Sequence, residues 1–340
     1  MKVCIVGLGA IGGTFAAWLG SRLPAGELSL SALARGATLA AVQAHGLRVE
    51  EAPGAAPLQG VPLRAAAQAR DLGVQDLVIL AVKGPALLAV APAVQTLCGP
   101  QTQVLCAMNG VPWWFFEGLP GPLAGLSLQS VDPGARVRSL IPAAQVVGCV
   151  VHLSSVAPAP GVVRPVNGNG LIIGRPAGGG ADDPRLQALA TLLQRGGFGV
   201  TVSDRIQRDI WFKLWGNMTM NPVSALTGAP CDRILDDPLV RGFISAVMRE
   251  AQEIGAGIGI PIDQAPEERH AVTRKLGSFK TSMLQDLLGG RPLEIDALVG
   301  AVHEIGQHLK LATPNIDALL GLVRLMASER GLYTPPVAAA

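Results

Sequence analysis

The 340-residue chain is poor in aromatics (4%) and in charge (15%), and its 27 Lys plus Arg nearly balance its 25 Asp plus Glu. A nucleic-acid groove needs a basic face with stacking rings, so that class of function is excluded. Disorder is excluded too, because a 49% hydrophobic chain of low net charge can bury a real core. The five cysteines (Cys4, Cys98, Cys106, Cys149, Cys231) include no C-x-x-C pair and are odd in number, which argues against a zinc knuckle or a secreted disulfide framework. They read as small buried hydrophobes in a reducing compartment. Uninterrupted apolar runs are also missing. Val3 to Gly20 is uncharged, but Gly7, Gly9, Gly12, Gly13 and Gly20 break it and no A-x-A cleavage site follows. Leu77 to Leu97 contains Lys83, Pro85 and Pro92. Neither suits a spanning helix, so a cytoplasmic protein without a membrane or nucleic-acid partner is expected.

What is present points to two domains, the number this length suggests. Lys2 to Val6 is a short apolar run ending in glycines, as in a strand buried on both faces of a parallel sheet. Ile11 to Leu23 can pack back on it as a helix. Leu28 to Leu33, Asp76 to Val82 and Gln103 to Met108 repeat the strand theme, which predicts a Rossmann-type, doubly wound α/β domain. Val146 to Leu153, Gly161 to Val166 and Gly170 to Ile173 read as edge strands closing it, and Arg175 to Pro184 as a loop. Beyond about residue 200 the periodicity is helical, over Asp204–Ala225, Pro238–Gly257, Ala265–Leu288, Pro292–Lys310 and Asn315–Arg330. The expected division is a sheet domain over 1–178, the end of the sheet with a linker over 179–203, and an all-α domain over 204–332.

Gly7-Leu8-Gly9-Ala10-Ile11-Gly12 is G-x-G-x-x-G set between an expected strand and an expected helix. The first glycine permits the turn, the second lets backbone approach a pyrophosphate, and the third allows close helix–strand packing. The helix N-terminus adds free N–H groups for the anion. The alternative is a glycine turn without a ligand. The end of the second strand, Ala32-Leu33-Ala34-Arg35-Gly36, lacks the carboxylate that would hold a ribose 2′-hydroxyl and offers an arginine instead. A guanidinium can clamp a 2′-phosphate, so NADPH is expected over NADH.

Lys213, Asn217 and Asn221 recur at every fourth residue and share one face of a helix otherwise built of Trp, Phe, Leu and Met. A buried lysine and two buried amides need partners, either a polar ligand or one another. Further on, Ser282 and Asp286 share a helix face, Gly289-Gly290 ends that helix, and Pro292 opens the next, with Glu294 in its first turn. Taken alone, that glutamate would only offset the helix dipole.

Together these segments resemble the ketopantoate reductase (2-dehydropantoate 2-reductase) family over nearly the whole chain. The residues carrying the resemblance are Gly7 to Gly12, Ala81-Val82-Lys83, Asn109-Gly110, Lys213-x3-Asn217-x3-Asn221-Pro222, and Ser282-Met283-Leu284-Gln285-Asp286 with Glu294. The resemblance implies a Rossmann domain, then a helical domain like the C-terminal domain of 6-phosphogluconate dehydrogenase, with substrate in the cleft between them. It implies NADPH-dependent reduction of 2-dehydropantoate to pantoate in pantothenate and coenzyme A synthesis. Lys213 matches the proton donor, and Glu294 a residue supporting catalysis and cofactor positioning. Asn109, Asn217, Asn221 and Ser282 match substrate contacts. Gly7, Leu8, Gly9, Ala10, Ile11, Gly12, Arg35, Lys83 and Asn109 fall on the cofactor side.

Two departures bear on the substrate. A further family asparagine that contacts substrate aligns with Cys231, and Trp113-Trp114-Phe115-Phe116 opens a Gly/Pro-rich insertion running to about Gly134. The aromatic cluster could be core, lid or a reshaped pocket, so reduction of another branched or aromatic 2-oxo acid stays open. So do oxidation of a 2-hydroxy acid and, from a different class, a non-catalytic NADPH-binding regulator. A homodimer is compatible with the apolar helical half. His303 and His308 are one residue too far apart for the H-E-x-x-H zinc pattern, and no metal is expected. A lone His152 in a β segment reads as structural.

Overall fold

A computed structural model describes residues 1–335 apart from Gln59 and Leu276. The described residues pack as two units. One comprises Met1–Met108 and Val137–Ile206, the other Asn109–Arg136 and the chain from Gln207 onward. Residues 109–136 therefore pack with the helices, although the sequence division keeps them in the sheet domain. The four aromatic side chains Trp113 to Phe116 are at most 2% exposed, so they pin this insertion into the helical core.

In the first unit, β1 (Lys2–Val6) leads to α1 (Ala10–Arg22), β2 (Ser29–Leu33), α2 (Gly36–His45), and the short β3 (Arg48–Val49) and β4 (Arg64–Ala66). Then come β5 (Gln75–Leu80), α3 (Leu87–Leu97), β6 (Cys98–Cys106), α4 (Arg136–Leu140), β7 (Val146–Ala159), β8 (Val162–Gly174), α5 (Pro184–Arg195) and β9 (Gly199–Val202). The sheet order is β3-β8-β7-β6-β5-β1-β2-β4, with β9 also on β8. All pairings are parallel except β7 with β8. Val3, Cys4, Ile5 and Val6 are buried, as a strand covered on both faces requires. Phe15 and Leu19 of α1 join Ile5, Ile79 and Leu105 in one core.

The pieces expected as closing edge strands form instead a long hairpin inside the sheet. β7 lies on β6, and β8 carries β3 and β9 on its far side. The Asn and Gly residues at 167–170, which read as breaks, are absorbed as irregularities where the pairing slips register between His152 and Ser155.

The helical unit contains α6 (Ile206–Thr227), α7 (Cys231–Asp236), α8 (Pro238–Gly257), α9 (Pro266–Arg274), α10 (Ser282–Leu288), α11 (Ala301–Leu309) and α12 (Pro314–Glu329). Asp237 caps α8 by accepting from the N–H groups of Leu239 and Val240. Trp211, Leu214, Trp215 and Met218 of α6 are buried, as are Ile244, Val247 and Met248 of α8. Trp215 Nε1 donates to the Met248 carbonyl at 2.8 Å. The single helix expected over Ala265–Leu288 is two. Gly277 has φ +65°, and Thr281 starts α10 as its cap, accepting from the Leu284 N–H. A π turn (Asp296–Gly300) runs into α11. No helix among the described residues is long and apolar enough to cross a membrane.

Candidate active site

In the sheet unit the chain leaves β1 for β2 on one side, while β5 lies on its other side. Such a reversal of strand order opens a crevice at the carboxyl ends of the strands, where α/β sheets bind ligands. The glycine loop follows β1, Arg35 follows β2, and Lys83 follows β5, so these three expected cofactor elements share that edge. Gly7 has φ +96°, and a Cβ there would stand 2.8 Å from the Ala81 carbonyl oxygen. A Cβ on Gly12 would collide with the Gly7 carbonyl oxygen, so helix and strand can approach only with glycine present.

Gly9 is different. A Cβ there would meet no atom within 4 Å, so its open side is room for a ligand rather than for packing. Gly9 is also the N-cap of α1, with no side-chain cap and no acidic residue in the first turn. The first N–H groups of α1 thus have no intrahelical acceptor and face no competing carboxylate. Ala10 and Ile11 are the first residues of α1, and Leu8 is buried beside the turn. Arg35 is exposed and is the N-cap of α2. This arrangement fits a pyrophosphate with a 2′-phosphate within reach of a guanidinium.

In the helical unit α6 carries Lys213, Asn217 and Asn221 on one face, as the spacing predicts. Asn221 is buried at 6% exposure, and Lys213 and Asn217 are half-buried. Lys213 Nζ donates to Asn109 Oδ1 at 2.8 Å, which joins two residues 104 positions apart. Asn109 is held by the turn that follows it. Gly110 has φ +83° and lies so close to Ala297 that a Cβ would stand 2.5 Å from its carbonyl oxygen, while the Val111 N–H donates to that oxygen at 2.8 Å. On the flank of the same helix, the Arg269 guanidinium lies 5.2 Å over the Phe212 ring and packs against Gly216. Burial pushes its pKa below the usual arginine range, so this flank holds a partly desolvated cation.

Glu294 is half-buried and immediately precedes the helical residues, one step short of the expected first turn. The reason is long-range. The Leu293 N–H donates to the Leu332 carbonyl at 3.0 Å, which holds the chain out of the helix there. Ser282 is the first residue of α10 and is exposed, whereas Asp286 on the same face is buried and pairs with Arg291 at 2.9 Å. Cys231 is buried at the start of α7, its N–H bonded to the Phe279 carbonyl, and burial pushes its thiol up to about 11. It is an inert apolar wall. The aromatic cluster is core, with Phe115 and Trp211 ring centroids 6.0 Å apart. Sequence reading missed Asp296, Arg324 and Tyr333, which meet in one half-buried cluster. The one signal pointing there was that Tyr333 is the chain's single tyrosine.

Two family models match, ketopantoate reductase PanE/ApbA over residues 3–114 and its C-terminal counterpart over 205–327. A 2-dehydropantoate 2-reductase of Mesorhizobium japonicum is 44% identical over 334 residues, spanning 98% of this chain and 100% of the relative. A crystal structure of a ketopantoate reductase candidate from Ralstonia solanacearum MolK2 is 57% identical, with TM-score 0.91 over 98% of this chain and 99% of that one. A dimeric ketopantoate reductase from Staphylococcus aureus shares the fold at 22% identity and TM-score 0.73, over 97% of this chain and 100% of that one.

Proposed function

The chain belongs to the ketopantoate reductase family, and we propose that it reduces 2-dehydropantoate to pantoate with NADPH, in pantothenate and coenzyme A synthesis. The observation that carries this reading is the Lys213–Asn109 hydrogen bond on the helix that bears the family's polar stripe.

The glycine loop and the start of α1 would hold the pyrophosphate and Arg35 the 2′-phosphate, and Lys83 and Asn109 match positions that would contact the cofactor. NADPH, when bound, supplies hydride to the carbonyl carbon of the 2-oxo acid. Negative charge then builds on the carbonyl oxygen. The Lys213 ammonium stabilises that charge and delivers the proton. Asn109 fixes the direction of the ammonium by accepting one of its three N–H groups. Asn217, Asn221 and Ser282 donate hydrogen bonds to the carboxylate and hydroxyl groups of the acid and hold the attack geometry. Glu294 supports the lysine and the cofactor. The same reading has the enzyme working in the cytoplasm as a homodimer, in keeping with the dimeric Staphylococcus aureus relative.

The test is NADPH consumption with 2-dehydropantoate beside branched and aromatic 2-oxo acids. Highest kcat/KM for 2-dehydropantoate is expected, because the Trp113–Phe116 cluster is buried core rather than pocket wall. Preference for an aromatic acid would overturn the substrate. Tight NADPH binding without turnover of any acid would make the protein a regulator.

A further inference from the structure

We propose that Asp296, Arg324 and Tyr333 form a half-buried positioning cluster through which the C-terminal tail sets Glu294 and the Asn109 partner of Lys213. The inference rests on the catalytic reading above. Tyr333 Oη donates to Asp296 Oδ1 at 2.8 Å, and Arg324 Nη2 donates to the same oxygen at 3.1 Å. The Arg324 guanidinium carbon lies 5.9 Å from the Tyr333 ring centroid. Beyond α12 the tail folds back, with the Leu332 N–H on the Ala327 carbonyl and the Leu332 carbonyl accepting from Leu293. The tail therefore grips both sides of Glu294, by backbone at Leu293 and by side chain at Asp296.

The same grip reaches Lys213. Asp296 begins the π turn, and the next carbonyl, that of Ala297, receives the Val111 N–H at 2.8 Å. Gly110 lies against that carbonyl so closely that no side chain fits between. A displacement of the π turn must carry the Asn109 turn with it, and Asn109 directs the lysine. Isolated π turns are strained and recur at functional sites. Burial pushes the Asp296 carboxyl above its ordinary value, and the hydrogen bonds from Tyr333 and Arg324 oppose that shift by favouring the ionised form. All three are positioning residues, since none is placed to touch the reacting atoms.

The test uses the full-length enzyme and Tyr333→Phe, which removes one hydroxyl. A misplaced catalytic pair costs about 10- to 100-fold in kcat, while NADPH should still titrate to one per chain. Asp296→Asn, which keeps an acceptor for both donors, should retain more kcat than Asp296→Ala. In an Asn109→Ala background the Tyr333→Phe loss should shrink, because one of the two elements it positions is already gone. Arg324→Lys serves if Tyr333→Phe shows no cooperative melt. Wild-type kcat in Tyr333→Phe, or a loss that multiplies with that of Asn109→Ala, overturns the inference. If Lys213→Ala itself keeps full turnover, the catalytic reading fails instead, which separates the two.

Discussion

On the reading proposed above, the two units make their binding surfaces from opposite materials. In the sheet unit the nucleotide loop is backbone: Leu8, Ala10 and Ile11 lend it little chemistry, while Gly7 and Gly12 matter for the side chains they lack. In the helical unit the backbone of α6 is an ordinary ladder and all the chemistry hangs from it, on Lys213, Asn217 and Asn221. The first site should therefore fail on added volume, and the second when a functional group is lost.

Lys213→Ala gives the sharpest form of this contrast. Loss of the proton donor should lower kcat by roughly 100- to 10,000-fold, with the NADPH Kd nearly unchanged, as steady-state rates and fluorescence titration would report. Retained turnover would break the comparison at its strongest point. Gly12→Ala should do the reverse. The added methyl collides with the Gly7 carbonyl, so NADPH affinity should fall by about 10-fold or more with a lowered Tm. A variant that binds NADPH normally would show that close approach is not what the loop requires.

Arg35→Ala probes a place where the sheet unit relies on a side chain. The KM for NADPH should rise about 10-fold, the worth of one charge-assisted hydrogen-bond pair, while that for NADH stays nearly constant. Equal changes would remove Arg35 from the 2′-phosphate role. The smallest effect concerns stability in the helical unit. His270 is buried with Ser245 Oγ 2.9 Å from Nε2, and burial lowers its pKa below the ordinary 6.5. As pH falls through 6.5 the unfolded chain takes up a proton that the folded one resists, so stability is lost on the acid side. His270→Gln should flatten the fall in Tm between neutral and mildly acidic pH. A parallel fall in both proteins would assign it to other groups.

What was legible in the sequence followed the same division. β1, its glycine loop and the α6 stripe are local patterns, and the structure places them where the spacing predicts. The fate of residues 109–136 was not local. Trp113 to Phe116 are as apolar beside a sheet as beside helices, and nothing in their order says which core they enter. Glu294 stands outside its helix because the N–H of the preceding Leu293 donates to the carbonyl of Leu332, a partner 39 positions on. The break between α9 and α10 was visible in Gly277 and Thr281, which the helical periodicity around them outweighed. The family motifs named Lys213 and Asn109 separately. The bond that unites them belongs to the fold.

The scattered cysteines acquire a use from their burial. Cys4 in β1 and Cys231 in α7 are 0% and 2% exposed, and burial pushes both thiols up to about 11. At neutral pH each is shielded and almost wholly protonated, so an alkylating reagent reaches either only when the surrounding structure opens. One thiol sits in each unit. Mass-resolved alkylation rates at the two positions would thus time the breathing of sheet and helices independently, with no label added to the protein.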